Sequence, residues 1–378
     1  METMQTFVRK GVLGAIMLMA LAFLFAGCGK DSQGSAKDSP VKGKRVAYIL
    51  NMPGSDIFQQ CAAQCKDTAA KLGMTCDVFF SNGNDTVFQN YINTCAADGY
   101  DGLFLSHGGQ DYSYTFLTNL LKRYPDLKIV TFDTEFKDEA GRTQKMEGVT
   151  QFFQDDAGLA TSLLDYARSI YPNKKTVNIL KVWVGPNYIA AFDRREVGYQ
   201  TYEEAGKVHT LEVIGPTDYS NATDSMYDVM SDVLKKYKEE DIDAIWVAYD
   251  AYAQGCYQAL RESGKKIPLL SVDISNMDIQ YMQEKDSQWK ACACTDFKAN
   301  GEQGIRLLAL ELNGDYEDIK DLKTGETTDY IEMPATLITQ DILKDGTTID
   351  NLYDSAPAEY GAKENFVTNE WMKKCIGY

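Results

Sequence analysis

From Arg45 onward, short unbroken apolar runs alternate with stretches whose apolar residues recur every three or four positions. The runs Arg45–Leu50, Cys76–Phe80, Gly102–Leu105 and Ile129–Phe132 are predicted strands. Between them the helical period predicts helices from Asp56 to Leu72, from Val87 to Ala97 and near Tyr112–Arg123. Gly73 ends the first of these, and Asn84-Asp85-Thr86 supplies starting chemistry for the second. A second cycle follows, with helix Asp155–Ser169, strand Thr176–Val182, helix Ala190–Ala205, strand Thr210–Ile214 and helix Thr223–Lys238. Strand Ala244–Ala248, helix Ala251–Ser263 and strand Pro268–Val272 complete it. Helix Met277–Glu284, strand Trp289–Cys294, helix Asn300–Leu312 and a strand near Ile331–Ile338 come after, then a packed tail rich in turn formers. Strands apolar throughout, separated by amphipathic helices, predict an α/β protein whose parallel sheets are covered on both faces.

One phrase occurs twice. Asp101-Gly-Leu-Phe-Leu-Ser leads through a helix to Ile129-Val-Thr-Phe-Asp133, and Asp243-Ala-Ile-Trp-Val-Ala leads through a helix to Leu269-Leu-Ser-Val-Asp273. Each copy has the length of one βαβ unit. A polar residue after a buried parallel strand sits at the strand's carboxyl end, where open α/β sheets bind ligands. The repetition predicts two similar domains, each offering a carboxylate to a shared cleft.

The 378 residues suffice for two cores. A formal charge of −17 with no basic cluster argues against a nucleic-acid partner. Arg9 and Lys10 precede an apolar run from Gly11 to Phe25, the anatomy of an export signal and too short for a secure membrane span. The run closes on Leu24-Phe-Ala-Gly-Cys28, which resembles a bacterial lipobox, with Phe25 where Leu is usual; a plain secretory signal with an incidental cysteine is the competing reading. On the lipobox reading Cys28 carries the lipid, and the polar residues after it form a tether. Eight further cysteines with only His107 and His209 in the chain read as buried free thiols, not a zinc site; no metal and no cofactor is expected.

Four segments in order resemble the type I periplasmic sugar-binding proteins of the ribose- and galactose-binding group. They are Asp101 to Ser106 with Ile129 to Asp133, Asp193-Arg-Arg195-Glu-Val-Gly-Tyr199, Ala244-Ile-Trp-Val-Ala-Tyr-Asp250-Ala-Tyr-Ala-Gln-Gly, and Ile267-Pro-Leu-Leu-Ser-Val-Asp273. The resemblance spans roughly Arg45 to Asn313. It implies two Rossmann-like three-layer lobes joined by three crossover strands and hinged on a ligand. It also implies a monomer that delivers a sugar or polyol-like solute to the permease of an ABC importer. The implied division is a lipoprotein signal peptide over 1–27, a tether over 28–43, a first lobe of 44–150 plus 297–329, a second of 151–296 plus 330–345, and a tail over 346–378. A lipid on Cys28 would hold the protein to the outer face of the cytoplasmic membrane.

The resemblance also implies ligand-binding positions. Asp133 and Asp273 follow buried strands, and Arg195 offers a fork of donors suited to adjacent hydroxyls; a salt bridge to Glu196 or Asp193 is its competing reading. Phe58 would stack on a sugar ring or simply pack its helix. Asn51, Ser106, Tyr219, Tyr249, Asp250, Thr295 and Asp296 complete the expected set. Thr134 stands where ribose binders have arginine, which argues against ribose itself, and no D-x-D-x-D calcium loop is present. Two other functions share these residues: a nucleoside or signal receptor serving a sensor kinase or chemoreceptor, and a glycoside-processing enzyme using Asp133 and Asp273. No nucleophile elbow, phosphate loop or H-E-x-x-H motif supports the enzyme.

Overall fold

The computed structural model describes residues 36–376 apart from Pro53 and Glu139; the signal, Cys28 and the first half of the tether lie outside them. The first sheet's chain runs β1 Arg45–Leu50, α1 Asp56–Lys71, β2 Thr75–Phe80, α2 Asp85–Ala97, β3 Gly102–Ser106, α3 Ser113–Arg123 and β4 Lys128–Phe132. A small hairpin, β5 Phe136–Lys137 and β6 Thr143–Gln144, leads into β7 Val149–Gln154. The second sheet begins with α4 Asp156–Ile170, β8 Val177–Val182, α5 Ala190–Glu204, β9 Val208–Ile214 and α6 Ala222–Lys236. It continues through β10 Ala244–Val247, α7 Asp250–Ser263, β11 Leu269–Val272, α8 Asn276–Gln283 and β12 Trp289–Cys294. The chain then returns through α9 Phe297–Asn313 and β13 Tyr330–Met333 to the first sheet, and crosses back as β14 Thr336–Thr339. Helix α10, Glu370–Ile376, ends the tail.

The strand orders are β13-β7-β4-β3-β1-β2 and β14-β12-β11-β10-β8-β9. All neighbours are parallel except β14 on β12. This is the expected α/β fold of two Rossmann-like lobes. Both faces of each sheet are buried. Val46, Tyr48 and Leu50 share a core with residues of α1 and α9, while Ala47 and Ile49 pack with residues of α2 and α3. The three passages between sheets run from β7 to α4, from β12 to α9 and from β13 to β14. The first and third fall a few residues later than the breaks expected at 150 and 330, because β7 and β13 both pair in the first sheet.

Three expectations needed correction. Strand β7 was not anticipated: Val149-Thr-Gln-Phe-Phe-Gln154 mixes polar and apolar residues, yet all six are buried, and the strand runs between β13 and β4 in the sheet. The late strand near Ile331–Ile338 is two strands in different sheets. Helix α9 starts at Phe297 because Asp296 caps it, accepting the Lys298 N–H at 2.9 Å. Close helix pairs need glycine: a Cβ on Gly255 would lie 2.1 Å from the Thr223 carbonyl of α6, and one on Gly301 2.3 Å from the Cys61 carbonyl of α1. The eight described cysteines are free thiols, seven of them buried.

Candidate functional site

The aspartates that open each copy of the repeat are structural. Asp101 accepts the Arg45 N–H and Asp243 the Asn178 N–H, each at 2.8 Å, so each ties its strand to the neighbouring one. Those that close each copy lie at the strand ends facing the other lobe. Asp133 and Asp273 both take left-handed backbone, φ +47° and +69°, as does His107 after β3 at +61°. Non-glycine residues enter that region only where their surroundings compel it.

A buried chain of charges joins the two aspartates. Arg194 Nη2 donates to Asp133 Oδ1 at 2.7 Å and to Asp156 Oδ2 at 2.5 Å. The other oxygen of Asp156 accepts Arg195 Nε at 2.9 Å, and Arg195 Nη2 lies 3.5 Å from Asp273 Oδ2. Arg195 Nη1 donates to the Ala248 carbonyl at 2.6 Å, and the Arg194 guanidinium lies 4.3 Å over the Phe153 ring. Two guanidiniums from one turn of α5 thus grip one carboxylate at the start of α4 and present a second edge to each lobe. Burial works against both arginine charges, but the surrounding carboxylates overcome it and hold both pKa values above the ordinary arginine range. Burial pushes Asp273 up to about 6 despite Arg195, and its Oδ1 has no hydrogen-bond partner among the described residues.

His107 completes the first lobe's side. Its Nδ1 is 2.7 Å from Ser106 Oγ, and its ring meets Phe58 and Phe132 edge-on. Burial and the two arginines lower its pKa to about 3, so its 3.8 Å approach to Asp133 is not an ion pair. Gln154 donates to Asp133 Oδ2 at 2.9 Å and accepts from Thr295 Oγ1 at 3.0 Å, linking two of the passages between lobes. The lobes also touch directly, where Asp56 Oδ2 accepts from the backbone and side chain of Asn276, both at 3.2 Å.

A cavity of ≈620 Å³ opens between the lobes, with Asn51, His107 and Asp133 on the first-lobe wall and residues 187–191 on the second. Among the expected ligand positions, Asp133 and Asn51 line it; Asn51 also donates to Asp85 Oδ1 at 2.7 Å. Ser106 stands behind His107. Phe58 is buried against His107 and Phe297 instead of lining the cavity. Arg195 is fully buried and pairs with neither Glu196, which holds Lys181, nor Asp193, which accepts the Asn187 N–H. Tyr249 is packed against Phe192 and Tyr252. Asp250 is buried beside Asp278; burial, then that second carboxyl, raises its pKa well above the usual range. Thr295 bonds Gln154 and Asn300. Asp296 is taken by the α9 cap and by the Tyr353 hydroxyl of the tail. Tyr219 does not line the cavity; it is 50% exposed and stacked on Tyr188, which does.

The expected set missed His107, Gln154, Asp156 and Arg194. The doubled arginine and the Asp155-Asp156 pair are visible in the sequence. The missing signal was β7, which sets Gln154 and leads to Asp156 at the passage.

Two similar lobes meet at one cavity, with the charged strand end Asp133 on its wall. Residues 46–315 match the model of the periplasmic binding protein domain, and the chain belongs to that family. A sugar ABC transporter protein from Yersinia enterocolitica is 29% identical, over 88% of this chain and 94% of its own, with a TM-score of 0.71. The fold is shared with a 5-methylthioribose transporter solute-binding protein from Thermotoga lettingae solved with 5-methylthioribose, at 23% identity, 88% and 98% coverage and a TM-score of 0.71. It is shared as well with an Agrobacterium vitis solute-binding protein holding allitol, at 20% identity, 83% and 99% coverage and a TM-score of 0.62. Among curated proteins, none matches the chain.

Proposed function

We propose that this protein captures a sugar or polyol-like solute in the cleft and hands it to the permease of an ABC importer, held at the outer face of the membrane by a lipid on Cys28. The observation that carries the reading is the Asp133–Arg194–Asp156–Arg195–Asp273 chain, which runs from one lobe to the other beside the cavity. Hydroxyls both donate and accept, so they suit carboxylate acceptors set beside guanidinium donors; each such charge-assisted bond is worth about 1.5–3 kcal/mol. Asp273 does not line the cavity, and closure of the lobes on the solute would bring its unpartnered, buried oxygen to a hydroxyl donor. The lipid anchor rests on the sequence before Gly29 alone.

A thermal-shift screen of pentoses, hexoses, inositols and nucleosides tests the capture step. A true ligand at a hundred times its dissociation constant should add about 2.7 kcal/mol of stability. A shift with amino acids or peptides and none with any hydroxylated compound would overturn the reading.

Binding should also depend on pH through Asp273. Its ligand-free carboxyl titrates at about 6, and a hydroxyl donating to it lowers that value. Affinity is therefore level above pH 6 and falls as pH drops below it, approaching about tenfold per unit. His107, lowered to about 3, contributes nothing in this window. Asp278 also titrates at about 6, so Asp278→Asn serves as the control and should keep the profile. Calorimetric titrations from pH 7.5 to 4.5 read it out, and a level profile would refute the role given to Asp273.

A further inference from the structure

The two walls of the cavity differ in chemistry. The first lobe contributes the polar Asn51, Asp85, His107 and Asp133, whereas the second contributes Asn187 and the more apolar Tyr188, Ile189, Ala190 and Ala191. Met52 extends the apolar side across the cleft. Tyr188 is 45% exposed and Tyr219 50%, their rings stacked 4.9 Å apart at 27°. Tyr188 lines the cavity, so the stacked pair forms an apolar ledge beside it. The ledge is also braced. Tyr188 lies 6.0 Å from Phe192 in a second stack, and the preceding Asn187 takes left-handed backbone, with its N–H held by both oxygens of Asp193 at 2.9 and 3.1 Å.

Charge narrows the occupant further. The rim carries Asp85, Asp111 and Asp138, and the one ammonium lining the cavity among the described residues, on Lys137, is held by Glu135 at 2.5 Å. Such a rim repels phosphate and carboxylate groups.

We propose that the ligand is a sugar without anionic groups that carries an apolar or aromatic substituent, its hydroxyls at Asp133 and His107 and its substituent on the Tyr188–Tyr219 ledge. This rests on the sugar-binding reading above and names the class of sugar. The polar wall orients the ring, and the ledge discriminates substituted from bare sugars, because only a substituted one covers the tyrosine faces.

Isothermal titration of the full chain with matched pairs tests it: D-ribose against 5-methylthioribose, and D-galactose against phenyl β-D-galactoside. In at least one pair the substituted sugar should bind about tenfold tighter or better. In Tyr188→Ala that ratio should fall to about one, and in Tyr188→Phe, which keeps the ring face, it should persist. Ribose 5-phosphate should give no heat of binding. Bare sugars that bind as tightly as their substituted partners, a ratio unmoved in Tyr188→Ala, or tight binding of the phosphate would overturn the inference while leaving sugar capture standing. If none of the pairs and no other hydroxylated compound binds, sugar capture itself fails.

Discussion

Replacing Asp156 with alanine is expected to lower the melting temperature by on the order of 10 °C and to abolish ligand binding. Asp156 is fully buried and accepts from both Arg194 and Arg195. Without it two guanidiniums remain out of water; Arg194 keeps only Asp133, and Arg195 keeps Asp273 and the Ala248 carbonyl. Breaking a buried ion pair by removing one partner typically costs about 3–5 kcal/mol, because the charge left behind is uncompensated. Binding fails as well, since the arginines that flank Asp133 and Asp273 lose their common anchor. Asp156→Asn should cost less, as its amide oxygen still accepts one bond. The double variant Asp156→Ala/Arg194→Met should regain part of the loss, because it removes one of the stranded charges. Calorimetric melts of the three variants decide it. Strictly additive losses in the double variant would mean that the two residues are not energetically coupled.

Asp273→Asn is expected to behave in the opposite way, with affinity falling by about 10- to 100-fold while the unliganded melting temperature moves little. Burial raises the Asp273 pKa, so its ionised form costs stability at neutral pH, and a neutral amide of the same shape removes that cost. Its contact with Arg195 is long at 3.5 Å, and Arg195 retains shorter bonds to Asp156 and Ala248. What is lost is the charged acceptor that closure of the lobes would bring to the ligand. Arg195→Ala should destabilise the unliganded protein instead, since that side chain is 2% exposed and its partners would be left buried. Equal losses of stability in Asp273→Asn and Arg195→Ala would remove the distinction between a ligand contact and a structural one.

Much of the fold was legible because it is written in period. Apolar strands such as Gly102-Leu-Phe-Leu105 can only be central, and the helices between them carry one buried stripe each. Strand β7 was illegible for the same reason. Its Thr150, Gln151 and Gln154 read as surface residues, yet they are buried at the passage between lobes, where Gln151 bonds the Thr134 carbonyl and Gln154 bonds Asp133 and Thr295. Missing that strand hid Asp156, and with it the partner that decides how Arg194 and Arg195 are used. Asp296 shows the converse: a cap and a tail tyrosine, distant in sequence, occupy both of its oxygens.

The sequence by itself determined the doubled βαβ architecture and the placing of Asp133 and Asp273 at strand ends, because hydrophobic period and strand-end polarity are local properties of the chain. Only the tertiary structure decided what those ends face. Arg194, Asp156 and His107 converge on Asp133 from elements that are separate in sequence, and a stacked tyrosine ledge forms from two loops of the second lobe. Pairing of buried charges and the stacking of rings depend on distances across the fold, and no local pattern encodes them.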